Sequence, residues 1–256
     1  MVCSALFAIG CGSSSAKPNT SGSGGDDDAA GSDQGTGMSY SGAHGLGYYK
    51  LAANPAGSLS TPVMTTQASG STIVVSVGRG SSKLFAIPTD NKGNSPYVMQ
   101  DQIHPYTQFP TSGTALYTFK PAKGGAGFQV TTTTGQNDSG QSDEITMAAV
   151  EVADSGKIES VQWNEVAEGN PLTTKSVTTD GPATLVAFWW GDGFPRTPQT
   201  AKPDSGFMLL DSNAQETDSF VQCAVAVKTV TAAGTYGLTW TATPSQGAQM
   251  WLVAVE

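Results

Sequence analysis

Two segments of this chain, 72–152 and 184–256, repeat one order of apolar and polar residues, and no other feature of the 256-residue sequence constrains the fold as strongly. The loops between the matching stretches differ in length, but each stretch aligns without a gap. The stretches are Ser71–Val75 with Ala183–Ala187, Tyr117–Lys120 with Val225–Lys228, Ile145–Glu151 with Met250–Glu256, and, more weakly, Ser95–Val98 with Gly206–Leu209. A pattern that recurs within a chain predicts two halves with the same fold.

The repeated stretches have the period of β-strands. Every second residue from Val221 to Val227 is Val or Cys, a period of two that places one set of side chains on each face of a strand. Clusters of Gly, Pro, Asn and Asp separate these stretches, and no segment has a sustained helical period. The sequence therefore predicts an all-β protein, an antiparallel β-sandwich of jelly-roll or immunoglobulin-like type built from two homologous halves. One shared sandwich and two smaller ones are both compatible with this pattern.

The composition changes along the chain, and these changes predict the domain boundaries. A Gly/Ser/Asp-rich stretch that cannot bury enough apolar surface to fold precedes the repeated part. The predicted parts are a signal segment at 1–11, a disordered linker at 12–37 and a β-sandwich domain at 38–256, which contains half one at about 60–155, a joining segment at about 156–172 and half two at about 173–256.

The apolar run Leu6–Cys11 ends in small residues at a cysteine and resembles the lipobox of bacterial lipoproteins. The resemblance implies cleavage before Cys11 and a lipid on its sulfur, which would hold the protein at the membrane. Gly12 after the cysteine implies retention in the outer membrane. No Lys or Arg precedes the run, which indicates a start codon placed too late.

Charge and cysteine content limit the partners and the stabilising bonds. The net charge of -9 argues against a nucleic-acid partner, because such binding depends on Lys and Arg meeting phosphates. Cys223 is the only cysteine after the signal segment, so no disulfide within the folded part is expected. Its place in an apolar strand predicts a buried, inert thiol.

Candidate catalytic residues are few, and the sequence predicts that the protein is not an enzyme and has no metal or cofactor. Neither His44 nor His104 has Cys, Asp or Glu at a metal-ligand spacing. The best case for catalysis is a pair of loop carboxylates acting on a polysaccharide, drawn from Glu165, Glu168, Asp192 and Asp204. Two runs, Asp90–Asn94 and Asn137–Glu144, offer oxygen ligands for calcium but fit hydrogen-bonded turns better.

Aromatic residues of half two give the sharper hypothesis. Trp189 and Trp240 match the apolar parity of half one and are predicted to lie in the core. Phe188 and Trp190 project to the opposite face, and their counterparts in half one are Ser76 and Gly78. The predicted ligand-binding residues are Phe188, Trp190, Trp251, Trp163 and Asp192, an aromatic surface that can stack on sugar rings. The alternative is that the other half or the joining segment covers this face.

The order of these stretches, from Thr72–Val75 through Thr89–Asn94, Val150–Val152 and Ala183–Ala187 to Gly234–Trp240 and Trp251–Val255, resembles a β-sandwich module of bacterial secreted proteins. The resemblance implies a non-catalytic module and assigns no functional residue. The sequence thus predicts a lipid-anchored protein of the cell envelope, in the outer membrane or at the cell surface, that binds or adheres to a glycan or another surface component. The alternative is a purely structural scaffold.

Overall fold

The structure is a computed structural model, and it describes residues 47–50, 58–80, 85–133, 144–192, 200–213 and 221–256. The chain divides into two units, Met1–Asp33 and Gln34–Glu256, and all described residues belong to the second. The regular elements in these residues are β-strands, so the all-β prediction is confirmed. The predicted signal segment, linker and lipid-bearing Cys11, as well as His44, lie outside the described residues.

The strands fall into two groups along the chain. Half one contains β1 (Gly47–Lys50), β2 (Ser58–Ser60), β3 (Ser69–Arg79), β4 (Thr89–Asp90), β5 (Val98–Pro105), β6 (Gly113–Lys123), β7 (Val130–Thr133) and β8 (Glu144–Val152). Half two contains β9 (Ile158–Gly169), β10 (Leu172–Thr173), β11 (Val177–Thr179), β12 (Ala183–Asp192), β13 (Thr200–Pro203), β14 (Met208–Asn213), β15 (Val221–Val230), β16 (Gly234–Tyr236), β17 (Thr239–Thr243) and β18 (Gln246–Val255).

The two halves have the same strand order. Half one forms a large sheet in the order β1-β8-β3-β6-β5 and a small sheet β2-β7-β4, and half two forms β9-β18-β12-β15-β14 and β10-β17-β13. All paired strands are antiparallel. The additional pair β11-β16 corresponds to an isolated bridge between Met64 and Phe128 in half one. When β11 and β16 are left out of the numbering, the strands of each half run 1-8-3-6-5 in the large sheet and 2-7-4 in the small sheet, so these sheets have identical topology.

The sheets stack in four layers, because each large sheet is covered on both faces. In half one, Ile73, Val75 and Tyr117 of the large sheet pack on Leu59 and Val130 of the small sheet.

The equivalent core of half two joins Leu185, Trp189 and Met250 to Trp240 and Ala242. The predicted core positions of Trp189 and Trp240 are thereby confirmed.

The opposite faces of the two large sheets pack on each other. Val74, Leu116 and Val150 of half one meet Val225 and Val253 of half two in a single apolar cluster, which we call the joint. Because small sheet and joint cover opposite faces, β3, β12 and β18 are buried along almost their whole length. The chain thus contains two sandwiches packed through their large sheets.

Local hydrogen bonds also recur between the halves. The backbone N–H of Thr61 donates to the carbonyl of Val130, whose own N–H donates to the Thr61 hydroxyl. Thr174 and Leu238 repeat both bonds in half two. Outward hydroxyl pairs recur as well, with Ser60 bonded to Thr131 at 2.7 Å in half one and Thr173 bonded to Thr239 at 3.1 Å in half two.

The strand register corrects the sequence alignment of β8 with β18 by two residues and that of β6 with β15 by one. Val75 pairs with Ala149 and its counterpart Ala187 pairs with Leu252, so Ala149 corresponds to Leu252 and not to Ala254.

Val75 also pairs with Tyr117 in half one, whereas its counterpart Ala187 pairs with Ala226. Tyr117 therefore corresponds to Ala226 and not to Val225, and the gap-free alignment of β6 with β15 is one residue out of register. Both faces of β15 are apolar and buried, so residue type alone does not distinguish its two possible registers.

The predicted joining segment 156–172 is also corrected. Its residues Ile158–Gly169 form β9, a strand at the edge of the large sheet that pairs with β18 along most of its length. The residues of β9 are mostly half-buried and polar ones alternate irregularly with apolar ones, so the period of two is hidden in the sequence. The connection between the halves is the short segment 153–157.

The run Asp90–Asn94 forms a hydrogen-bonded turn. One carboxylate oxygen of Asp90 accepts from the backbone N–H groups of Lys92 and Asn94, at 2.9 and 3.1 Å. The other accepts from the Asn94 side chain at 2.8 Å and from the Tyr97 hydroxyl at 2.7 Å. All four donors point at Asp90, as the turn interpretation predicts. The second candidate, Asn137–Glu144, lies almost wholly outside the described residues.

Candidate functional site at the joint

The predicted ligand-binding residues lie on one face of the large sheet of half two. Phe188 of β12 pairs with Trp251 of β18, which pairs with Trp163 of β9, so the three rings form a row across three strands. The next row consists of Trp190, Gln249 and Glu165. We call this surface, the two rows together with Asp192 at the end of β12, the aromatic face.

The aromatic face is closed, which contradicts the expected exposed surface. Phe188 and Trp190 are each 3% exposed and Trp251 is 1% exposed. Trp163, near the sheet edge, is half-buried. The reason is that the large sheet of half one covers this face, the alternative that the sequence left open. A sugar ring therefore has no access to the planes of Phe188, Trp190 and Trp251 in this structure.

His104 of half one covers the edge of the aromatic face. Its ring stacks on Trp163 with centroids 3.7 Å apart and an angle of 12°, and it meets Trp251 edge-on at 5.1 Å. Its Nε2 lies 2.8 Å from a carboxylate oxygen of Asp101, a residue with a φ of 60° at an irregularity of β5. Asp101 thus orients the imidazole against the two indoles.

A chain of polar contacts crosses the joint beside these rings. The Trp251 indole N–H donates to the Thr114 hydroxyl at 3.0 Å, and that hydroxyl donates to Gln249 at 2.8 Å. The Gln249 amide donates to Glu165 at 3.0 Å, and Glu165 also accepts from the backbone N–H of Thr107 at 3.1 Å. Since Thr114 and Thr107 belong to half one, these bonds fix the register of one half on the other.

Two glycines lie where the two halves are in close contact. A Cβ on Gly78 of half one would collide with the indole of Trp190. A Cβ on Gly247 of half two would collide with the hydroxyl of Tyr106, which comes from half one. A ring from each half therefore lies against a glycine of the other, in the way that an interior glycine permits close approach.

Tyr106 is fully buried between the halves and packs edge-on against Trp190 at 5.5 Å. Burial raises the pKa of the Tyr106 hydroxyl to about 12, and the carboxylates of Asp192 and Glu165 act in the same direction. The neutral phenol is thus favoured in the folded protein.

This shift predicts a loss of stability at high pH. The pKa of Tyr106 is about 12 in the fold and near 10 in the unfolded chain. The stability that the neutral Tyr106 hydroxyl contributes to the fold is therefore complete below pH 10 and is lost between about pH 10 and about pH 12. In urea unfolding across this range, the wild type should lose more stability than Tyr106→Phe, which has no ionisable hydroxyl. Parallel pH profiles for the two proteins would contradict this assignment.

The other candidate residues have structural partners or lie elsewhere. Asp204 lies in the outer turn after β13, where burial opposes ionisation but hydrogen bonds from Thr239 and Ser205 outweigh it and lower the pKa of its carboxyl. Glu168 is exposed on β9. Cys223 is 6% exposed and faces the joint, so the predicted burial of its thiol is confirmed.

Sequence reasoning missed the residues of half one that close the face, namely His104, Tyr106, Thr107 and Thr114. They lie far along the chain from the residues they contact, and no local pattern marks them. One signal was present, since Gly78 within the apolar strand β3, one residue before its end, indicates close approach of another group.

Within the described ranges, no group of three or more His, Cys, Asp or Glu side chains is arranged to hold a metal ion. The same residues include no helix long and apolar enough to cross a membrane. We compared the chain with family models, with curated proteins and with solved structures, and none of the three comparisons found a match.

Proposed function

We propose that this protein is a lipid-anchored scaffold of the bacterial cell envelope, built from two homologous jelly-roll modules. The observation that carries the proposal is the closed aromatic face. The surface with the best chemistry for ligand recognition instead joins two sandwiches into one body, so its aromatic side chains serve to hold the shape.

The shared topology supports the duplication. With the pair β11-β16 left out of the count, the order 1-8-3-6 in the large sheet opposite 2-7-4 in the small sheet is that of the same seven strands in an eight-stranded jelly roll. Strand 5, which would extend the small sheet of a jelly roll, instead pairs with strand 6 at the edge of the large sheet in both halves. The recurrent threonine bonds and outward hydroxyl pairs add matching details at corresponding places. The outward hydroxyls and a charged fraction of only 13% suit an exposed protein outside the cytoplasm.

A binding comparison tests the scaffold role. On a panel of polysaccharides, the full chain should show neither saturable binding nor turnover, and Trp190→Ala should lower the melting temperature only. Phe109→Ala is the matched variant, because Phe109 is an aromatic at the rim of the joint that is 51% exposed. If the wild type binds a polysaccharide saturably and Phe109→Ala abolishes this binding, the scaffold role is refuted in favour of glycan recognition at the rim.

The lipid anchor makes a separate prediction. In a Gram-negative host fed a labelled fatty acid, the chain should incorporate the label, and Cys11→Ser should abolish it because the acylated sulfur is removed. Cys3→Ser is the control, since Cys3 precedes the proposed cleavage site and would leave with the signal segment. Equal labelling of the two variants, read by gel fluorescence and mass spectrometry, would refute acylation of Cys11.

A further inference from the structure

The joint has the arrangement of a two-fold dimer interface within one chain. Strand β6 of half one lies against β18 of half two, and their counterparts β15 and β8 also lie against each other. The central strands β3 and β12 face one another. Such reciprocal contacts are those of an isologous interface, in which the same surface of each partner meets the other. The two halves therefore meet through equivalent faces.

At matched positions of the two faces, one half carries a large side chain and the other half a small one. Half two carries Phe188 and Trp190 where half one carries Ser76 and Gly78. The matched residues also lie together in space, because Trp190 covers Gly78 and because Ser76 and Phe188 line one small cavity at the joint. A large side chain on each half would collide at this place, and a small one on each would leave a void.

We propose that the aromatic face is an interaction surface fitted to a single partner, half one of this chain, through a large-and-small pairing of Trp190 with Gly78. This inference rests on the proposed duplication of the module and is independent of the lipid anchor. Two copies of half two cannot pair in this way, because their Trp190 side chains would meet at one place. What sets the fit is the pairing of one large and one small residue, and either half can carry the large one.

Exchanging the two residues tests this directly in the full chain. Gly78→Trp alone should collide with Trp190 and lower the midpoint of denaturant unfolding, and Trp190→Gly alone should lower it by opening a void. The double variant carries the indole on half one. Its unfolding midpoint should lie above the value expected if the losses of the two single variants simply added. If Gly78→Trp alone does not fold and the double variant does, this also supports the proposal.

The matched control exchanges the neighbouring pair, Val77→Trp with Trp189→Val. These residues are also counterparts, but each faces the separate core of its own half, so their losses should add without recovery. Additive losses for the Gly78 and Trp190 pair, or equal recovery in both exchanges, would overturn the proposal.

If neither the Gly78→Trp variant nor the double variant folds, a double-mutant cycle with smaller substitutions tests the same pairing. Gly78→Ala should lower the unfolding midpoint in the wild type and should lower it less when Trp190 is Leu, since the shorter side chain removes the collision with the indole. The remaining close neighbour of the new methyl group is the Thr146 hydroxyl at 2.6 Å, which can rotate away. An equal loss in both backgrounds would refute the pairing. A failure of fatty-acid labelling at Cys11 would leave either outcome unchanged, so the two proposals fail separately.

Discussion

Trp251→Ala is expected to lower the free energy of unfolding by about 3–5 kcal/mol, the range for removing a fully buried tryptophan. Trp251 is 1% exposed at the centre of the joint, and its removal deletes apolar contacts with both halves together with the hydrogen bond to Thr114. Urea or guanidinium unfolding followed by circular dichroism measures the loss.

Trp163→Ala is the matched control for this prediction, because Trp163 lies in the same row of rings but is only half-buried. Its loss should be clearly smaller. If Trp251→Ala keeps the wild-type unfolding midpoint while Trp163→Ala does not, the closed joint described above is wrong.

Gly113→Ala is expected to cost about 3 kcal/mol of stability, near the upper end for a single substitution. The φ of Gly113 is 152°, and a Cβ there would collide with the backbone carbonyl of His104. A backbone carbonyl cannot rotate away as a side chain can, so the pairing of β5 with β6 would have to open at this end. The change would also displace His104 from its stack on Trp163.

Gly156→Ala serves as the control, because a Cβ at Gly156 meets no atom within 4 Å. Its unfolding free energy should stay within about 0.5 kcal/mol of the wild type. Thermal unfolding of the two variants side by side makes the comparison. Equal stability of Gly113→Ala and Gly156→Ala would show that the β5-β6 end is not packed as described.

Much of the fold follows from the period of two and its repetition. Alternation correctly assigned Trp189 and Trp240 to the core of half two, and placed Phe188 and Trp190 on the opposite face. What alternation does not reveal is whether a second layer covers that opposite face. In this chain both faces of the central strands are buried, so the aromatic residues on the second face belong to a joint.

The errors have the same physical origin. β15 is apolar on both faces, which allowed the alignment with β6 to slip by one residue. β9 lies at a sheet edge, and its mixed residues have the pattern of a connecting segment rather than of a strand. The side chains that close the aromatic face, such as His104 and Thr114, are brought there by packing between distant segments. Local sequence patterns do not encode such contacts.

Hydroxyl-radical footprinting of the intact chain, read residue by residue by mass spectrometry, tests the closed joint most directly. Phe188, Trp190 and Trp251 should be protected as strongly as Trp189 and Trp240, which lie in the core of half two, while Phe109 at the rim should be oxidised readily. Oxidation of Phe188, Trp190 and Trp251 at the rate of Phe109 would show an open aromatic face and would contradict the account.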